Sequence, residues 1–363
     1  MKVGINKNKL VKFAPALLKW HWSKNDRQMP WKGEKDPYKI WLSEIILQQT
    51  RVEQGLNYYK NFVIAFPDVH KLAHAEDGKV FKLWEGLGYY SRCKNLLLTA
   101  RHISKKRKGK FPDTYEEIIK LKGIGPYTAA AISSFAFNLP YAVVDGNVFR
   151  VIARVFGVEN ATDTTGGKKL FTHLANQLLD KQQPGVYNQA LMDFGAVICK
   201  PVSPLCGQCV FKKDCFAYTH NKINELPVKQ KKLTIKKRWF NYLALEYKNK
   251  ILIQERLGKD IWQHLFEFCL IETEKHLKPE KIIAIAVEKK ILTDKRYSMT
   301  GKPQIVKQLL SHQLITGQFF HIQLANKPVM RENYVLVLKE NLKNYPFPKL
   351  INSYVKEIFV EKK

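Results

Sequence analysis

Two carboxylates in unlike surroundings are the first residues of this 363-residue chain whose types and setting suit chemistry. In "WLSEIILQQT", residues 41–50, Glu44 falls in an apolar helical pattern with Trp41, Ile45 and Leu47, and Gln48 lies one turn on along the same face. Burial disfavours the charged form there, so the pKa of Glu44 is expected to rise toward the range of a general acid. In "VVDGNVFRV", residues 143–151, Asp145 stands at the start of another helix. An Asp at that position accepts backbone N–H bonds and feels the positive helix end, so it is expected to stay ionised and to face a cation. A protonated and a charged carboxyl together are what glycosidic cleavage requires: one protonates the leaving group and the other stabilises an oxocarbenium-like sugar. Taken singly, each has a plainer explanation, a helix-surface Glu and an N-cap.

Four of the six cysteines, Cys199, Cys206, Cys209 and Cys215, crowd into "CKPVSPLCGQCVFKKDC" with six, two and five residues between them. The start of the chain has no uninterrupted apolar core of the signal-peptide kind and no stretch is long enough to span a bilayer, so a cytoplasmic, reducing location is expected. Four clustered thiols there are better read as metal ligands than as disulfides. Thiolate chemistry alone does not choose between Zn²⁺ and an iron-sulfur cube. Cys93 and Cys269 stand alone and read as small core residues.

These residues need a scaffold, and the pattern supplies a helical one from Lys9 to about Ala217, with apolar residues at three and four spacing between Gly and Pro breaks. Within it, "LKGIGPYTAAAIS", residues 121–133, places Gly123 and Gly125 before Pro126 at the opening of a helix. Glycine permits positive φ and close approach of another molecule, proline suits the first helical turn, and the outward amides form an anion site. Residues 226–238, "LPVKQKKLTIKKR", contain six Lys or Arg and no acid, the pattern of a solvated linker. Beyond it come strand-like runs, "WFNYLALEY", "KILIQER", "FFHIQLA" and "NYVLVLKE", with a helix expected over "KPQIVKQLLSH", hence an α+β module. The formal charge of +29, from 61 Lys plus Arg against 32 Asp plus Glu, points to a polyanionic partner, with nucleic acid ahead of an anionic membrane surface.

The cysteine spacing after a helical domain resembles the [4Fe-4S] loop of the endonuclease III superfamily of DNA glycosylases, and "LKGIGPY" after "YEEIIK" resembles that superfamily's helix-hairpin-helix motif. In order along residues 20–220, "PWKGEKDPYKIWLSEIILQQTRV", "WEGLGYYSR", "GPYTAAAI", "VDGNVFRV" and "YNQALMDFGAVIC" resemble the MutY family of adenine DNA glycosylases. The resemblance implies an all-α helix-hairpin-helix glycosylase domain (1–225) with an iron-sulfur loop, the basic linker (226–238), a Nudix-like 8-oxoguanine-recognition domain (239–350) and a tail (351–363). It implies Glu44 as the acid that protonates adenine N7, Asp145 as partner of the sugar cation, and Tyr127 beside them. Lys32, Gln48, Gln49 and Thr50 are expected near the mispair, Leu87 and Tyr89 as wedges at the bases, and Lys122, Gly123 and Gly125 on the DNA backbone. Tyr89 and Tyr90 have core packing as their plainer alternative. Arg150 and Arg154, one turn apart, face either the cluster or DNA.

The chain departs from the family at Lys32, commonly Arg, at Lys122, usually Pro, and at Leu310, which precedes Ser311 and His312 where the family's lesion-reading turn has Phe. Strand-cleaving members carry a Lys at the position of Tyr127, whose amine forms a Schiff base; tyrosine there implies water as nucleophile and an abasic product. The expected partner is double-stranded DNA with adenine opposite 8-oxoguanine or guanine, bound by a monomer and not by a membrane protein. The rivals are a bifunctional glycosylase/lyase acting on oxidised pyrimidines and a non-catalytic DNA-damage binder.

Overall fold

The computed structural model describes residues 7–230, 234–293 and 296–360, and these form two units: residues 7–74 with 95–230, and residues 75–94 with 234–293 and 296–360. Residues 231–233 of the expected basic linker and 361–363 of the expected tail lie outside the described residues.

The first unit is helical, as the three-and-four spacing predicts. Helix Pro37–Leu47 starts where Asp36 accepts from the Tyr38 amide, and most of it is buried: Ile40, Trp41, Leu42, Ile45 and Ile46 are each 3% exposed or less. Against it lies helix Pro126–Phe137, whose run Ala129–Ala130–Ala131 lets the two backbones approach. Helix Gly146–Phe156 is capped at its start by Asp145 and ends at Gly157, in the left-handed region at φ 71°. Its apolar face joins Phe13, Leu17 and Trp20 of helix Lys7–Lys24, Phe171 of helix Thr165–Leu178, and Tyr187 and Phe194 of helix Pro184–Val197 in one core. That core extends to the cysteine loop through Phe211, which stacks on Phe13 at 4.5 Å.

The second unit is an eight-stranded mixed sheet. Its strands are β1 (Lys236–Tyr247), β2 (Lys250–Glu255), β3 (Phe266–Glu267), β4 (Cys269–Thr273), β5 (Tyr297–Met299), β6 (Gln304–Leu309), β7 (Gln313–Leu324) and β8 (Tyr334–Leu338). β1 runs parallel to β7 from Lys236↔Gln313 to Glu246↔Gln323 and antiparallel to β2 and β4. β3 and β8 pair with β2; β5 and β6 pair with β7. Helix Pro279–Glu288 covers one face through Ile282 and Ala286 against Leu243, Leu245 and Phe320. On aromatic partners elsewhere in the sheet, Phe319 stacks between Tyr242 at 5.2 Å and Tyr354 of helix Lys349–Val355 at 4.4 Å. Covering on both sides explains why β1 reads as a continuous apolar run.

Two expectations change here. The segment 302–312 is not a helix: Gln304–Leu309 forms β6, paired with β7 from Gln304↔Phe319 to Leu309↔Leu314, with exposure alternating along it. Its apolar residues satisfy either period over so short a run, and pairing with β7 decides in favour of the β-branched Ile305 and Val306. Residues 351–360 do not dangle as a tail; Ile351, Tyr354 and Val355 are buried on the sheet. A third element was not expected at all: residues 75–94 pack in the second unit, where Glu85 Oε1 accepts from the Phe347 amide at 2.8 Å and Lys82 Nζ donates to the Tyr345 carbonyl at 3.1 Å.

Candidate active site and the cysteine loop

A cleft of about 1390 Å³ in the first unit gathers Glu44, Tyr127 and Asp145 together with Lys32, Gln48, Gln49 and Thr50. Glu44 enters it from the buried helix Pro37–Leu47 and is itself only 6% exposed. Loss of water around it raises its pKa from 4.5 to about 7; the Tyr127 hydroxyl, donating to it, pulls the other way, and the charge of Asp145 adds to the rise. Tyr127 is driven well above its ordinary 10, first by burial, so it remains a donor. Gln48 lies just past the helix end rather than on it, and its Nε2 donates to Thr128 Oγ1 at 3.2 Å. Gln49 has a positive φ of 55°.

Asp145 caps its helix as expected, accepting from the Val148 amide at 2.8 Å and from Asn147 Nδ2 at 2.7 Å. Burial raises its pKa above 3.8, against those bonds, the Asn147 amide and Arg150. The cleft removes solvent from this helix start. Desolvation therefore acts on both carboxyls, but a set of hydrogen bonds and a guanidinium oppose it at Asp145, whereas one hydroxyl opposes it at Glu44. Lys32 Nζ reaches into the same cleft, held by the Arg27 carbonyl at 2.7 Å and by Asp193 at 3.3 Å.

The hairpin leads directly into this cleft, since Gly125 is the N-cap and Pro126 the first residue of the helix that carries Tyr127. Gly123 sits at φ 80°, and a Cβ there would lie 2.6 Å from Asn95 Cβ, so the position admits only glycine without a shift. The Lys122 side chain is exposed while its carbonyl accepts from Thr99 Oγ1 at 2.8 Å.

In the loop that follows helix Pro184–Val197, Cys199, Cys206 and Cys209 are half-buried, Cys215 is buried, and none is in a disulfide. Cys199, Cys209 and Cys215 each feel the charge of neighbouring cysteines of the set, Cys209 accepts from the Phe211 amide, and Cys215 accepts from the Ala217 and Tyr218 amides. Arg154, 3% exposed, holds the loop by donating to Leu226 O at 3.0 Å, Lys200 O at 2.7 Å and Pro201 O at 3.1 Å, with Nη1 3.7 Å from Cys199 Sγ. Arg150 donates to Cys199 O at 2.7 Å and to Asn147 Oδ1 at 2.8 Å. Both arginines thus face the loop. Neighbouring thiols with amide and guanidinium donors around them suit an anionic metal-thiolate group. Among the described residues no three His, Cys, Asp or Glu side chains are gathered as a site for a single metal ion.

The second unit holds a smaller cleft, about 500 Å³, lined by Tyr89, Ser311 and His312. Tyr89 is 40% exposed at φ 48° and its hydroxyl bonds Ser311 Oγ, whereas Tyr90 is 6% exposed and packs inward. Leu87, expected as a wedge, is 5% exposed. Ser311 and His312 lie in the turn between β6 and β7, closed by the Leu310 amide donating to Gln313 O at 2.7 Å. Beside them, Lys94 Nζ, His264 and Glu255 form a chain through the two ring nitrogens at 2.8 and 3.0 Å.

Residues 42–176 match the HhH-GPD superfamily of base excision DNA repair proteins, and residues 241–357 match the NUDIX domain. An adenine DNA glycosylase of Buchnera aphidicola subsp. Schizaphis graminum is 35% identical over 285 residues, which cover 77% of this chain and 82% of that one. The chain belongs to the adenine DNA glycosylase family. The human adenine DNA glycosylase is 39% identical over 214 residues, 56% of this chain and 39% of that one. Among solved structures, a thermostable thymine-DNA glycosylase is similar with a TM-score of 0.54 at 30% identity, over 59% of this chain and 98% of that one. A non-covalent endonuclease III–DNA complex, TM-score 0.52 at 18% identity over 60% of this chain and 98% of that one, shares the fold. The architecture is accordingly a helix-hairpin-helix glycosylase fold followed by a Nudix-like domain.

For this adenine DNA glycosylase family member, sequence reasoning missed Thr128, Asn147 and Asp193, each a partner of a cleft residue. Asn147 was visible two residues after Asp145, at the spacing of a cap neighbour. Asp193 had one signal, an acid in the apolar run "ALMDFGAVI", but its partners at residues 25 to 32 are brought to it only by the packing of helices.

Proposed function

We propose that the chain is a monofunctional adenine DNA glycosylase of base excision repair that acts on double-stranded DNA carrying adenine opposite 8-oxoguanine or guanine. It hydrolyses the N-glycosidic bond and leaves an abasic site. The observation that carries this reading is a buried carboxyl with a pKa of about 7 in one cleft with a second, hydrogen-bonded carboxyl. Glu44 delivers its proton to N7 of an extruded adenine, which makes the base a neutral leaving group. Tyr127, donating to Glu44, orients that carboxyl. Asp145 faces the sugar cation that develops, and water completes the reaction. With tyrosine at 127 no amine stands at that site to form a Schiff base.

Around this centre Lys32, Gln48, Gln49 and Thr50 line the adenine side. Lys122 and the Gly123–Gly125 amides take a phosphate, and Tyr89 and Leu87 are the wedges that fill the stack. Ser311 and His312 read the oxidised guanine, with Leu310 offering apolar contact in place of an aromatic ring. Cys199, Cys206, Cys209 and Cys215 hold a [4Fe-4S] cluster, which staples the loop bearing Lys200, Lys212 and Lys213. The protein works as a monomer on DNA in the cytoplasm; no helix among the described residues is long and apolar enough to cross a membrane.

A duplex with adenine opposite 8-oxoguanine, treated with protein and then alkali, is expected to break at the adenine with the parent chain and not with Glu44→Gln. Equal cleavage by both removes Glu44 from the mechanism. Borohydride trapping of a covalent DNA adduct would instead establish the lyase rival. For the cluster, iron and acid-labile sulfide are expected in equal amounts; zinc in their place refutes it.

A further inference from the structure

In the second unit one buried guanidinium, that of Arg238 on β1, ties together two walls of the cleft that holds Ser311 and His312. All five of its N–H groups are engaged. Nη1 and Nη2 fork onto Asp260 Oδ1 and Oδ2 at 2.9 and 2.7 Å, and Nη1 also donates to Gln313 Oε1 at 3.1 Å. On the other side, Nε and Nη2 donate to Glu272 Oε1 and Oε2 of β4 at 2.6 and 2.7 Å. The described residues that line the cleft include Asp260 and Gln313 but neither Arg238 nor Glu272.

The two walls are segments far apart in the chain, with β3 to β6 between them. Asp260 begins the first, residues 260–264, in which Trp262 and His264 stand at φ 63° and 69°. Residues with a side chain enter that left-handed region only under constraint. Arg256 supplies part of the constraint, donating to Asp260 Oδ2 and to the Ile261 carbonyl, each at 3.1 Å. Gln313 closes the second wall, the turn that carries Ser311 and His312, by accepting from the Leu310 amide at its carbonyl. Both guanidiniums lie over the ring of Phe240, Arg238 at 4.7 Å and Arg256 at 5.7 Å, which restricts where they can move. Of the two arginines, it is Arg238 that bonds both walls, so it fixes their spacing directly.

We propose that Arg238 is a positioning residue for recognition of the base opposite the excised adenine: by gripping Asp260 and Gln313 at once it sets the width of the cleft, and with it the preference for 8-oxoguanine over guanine. Arg238 does not touch the base; it acts through the two walls. The two bases differ along one edge, where the lesion carries a carbonyl at C8 and a hydrogen on N7. Polar groups separate them only when held to within about 0.5 Å of the productive geometry, which a wall free to shift does not provide. This rests on the proposed reading of the oxidised guanine by Ser311 and His312.

Single-turnover excision of adenine opposite 8-oxoguanine and opposite guanine tests this, with the ratio of the two rates compared among the full-length parent, Arg238→Lys, Asp260→Asn and Glu272→Gln. Lysine keeps the charge but has no planar fork, so it cannot hold both walls as the guanidinium does. Its ratio is expected to fall about tenfold, the worth of one hydrogen bond to the lesion, with the rate opposite guanine close to the parent's. Asp260→Asn turns an N–H against the fork and is expected to lose as much. Glu272→Gln loosens the same guanidinium on the side away from the cleft; it is expected to lower Tm and to leave the ratio unchanged. Should Arg238→Lys fail to fold, Asp260→Asn carries the test. A ratio unmoved in the folded variants, or one that falls equally in Glu272→Gln, overturns the proposal, because the fork would then be a structural bond only. A ratio that falls in Asp260→Asn but not in a folded Arg238→Lys does the same, since Asp260 would then meet the base itself. A parent that removes adenine equally fast opposite either base refutes the lesion reading, and this inference with it.

Discussion

Glu44 holds a proton near neutrality because water has been taken from it, and that single fact links activity to stability. Its folded-state pKa of about 7 lies above the ordinary 4.5, so the folded chain keeps a proton that the unfolded chain releases between those values. The folded state is therefore favoured most at low pH, and this contribution declines from the unfolded value upward until it is lost as pH passes about 7. Above that, the buried charge costs on the order of 3 kcal/mol. Glu44→Gln, which keeps an acceptor for Tyr127, is expected to raise Tm at mildly alkaline pH and to change it little at acid pH, as thermal melts at both conditions will show. A variant equally or less stable than the parent in alkali would mean that the carboxyl is not strained. Excision should follow the same group: kcat is expected to decline as pH rises through about 7, since only the protonated acid can donate. Both effects follow from a residue type and an apolar neighbourhood that are visible in "WLSEIILQQT". The rise at Asp145 was not visible there, because its burial comes from helices distant in the chain.

At the scale of elements, the hairpin and the cysteine loop each depend on a residue that a single substitution can remove. Gly123→Ala forces a Cβ against Asn95 at a positive φ, so a loss of about 1–3 kcal/mol is expected. On the proposed role of the hairpin, gripping backbone and not base, the same variant should weaken DNA binding while leaving the single-turnover rate at saturating duplex close to the parent's; a collapsed rate with intact affinity would contradict that division. Arg154→Met strips donors from three carbonyls in a buried setting, for which about 3 kcal/mol or more is expected. Retention of the proposed cluster's iron during purification, measured beside Tm, is expected to fall with it. The arginine's position shows the limit of spacing arguments: residues 150 and 154 share a helix face, but which neighbour that face meets depends on where the loop returns. The helix expected at 302–312 failed for the same kind of reason. Its apolar residues fit two periods, and a strand contributed from further along the chain settled the matter.

For the whole molecule, a net charge of +29 makes binding to DNA a matter of ion release as well as contact. The affinity for undamaged duplex is expected to fall linearly with the logarithm of salt, by about tenfold or more between low and physiological ionic strength. A flat titration would remove the electrostatic reading of the composition. The sequence by itself determined the chemistry on offer and the type of most elements: the two carboxyls, the four thiols, the glycine hairpin, the helical first part and the strands of the second. These are local properties, carried by residue identity and by periods of a few residues. Only the tertiary structure decided how those groups are tuned and partnered: the upward shift of Asp145, the placing of residues 75–94 with the sheet, the strand at 304–309, and the tie of Arg238 to Asp260 and Gln313. Each depends on which distant segments exclude water from a group or supply its hydrogen bonds. Desolvation and pairing of that kind are set by the assembled core, which no short window of sequence contains.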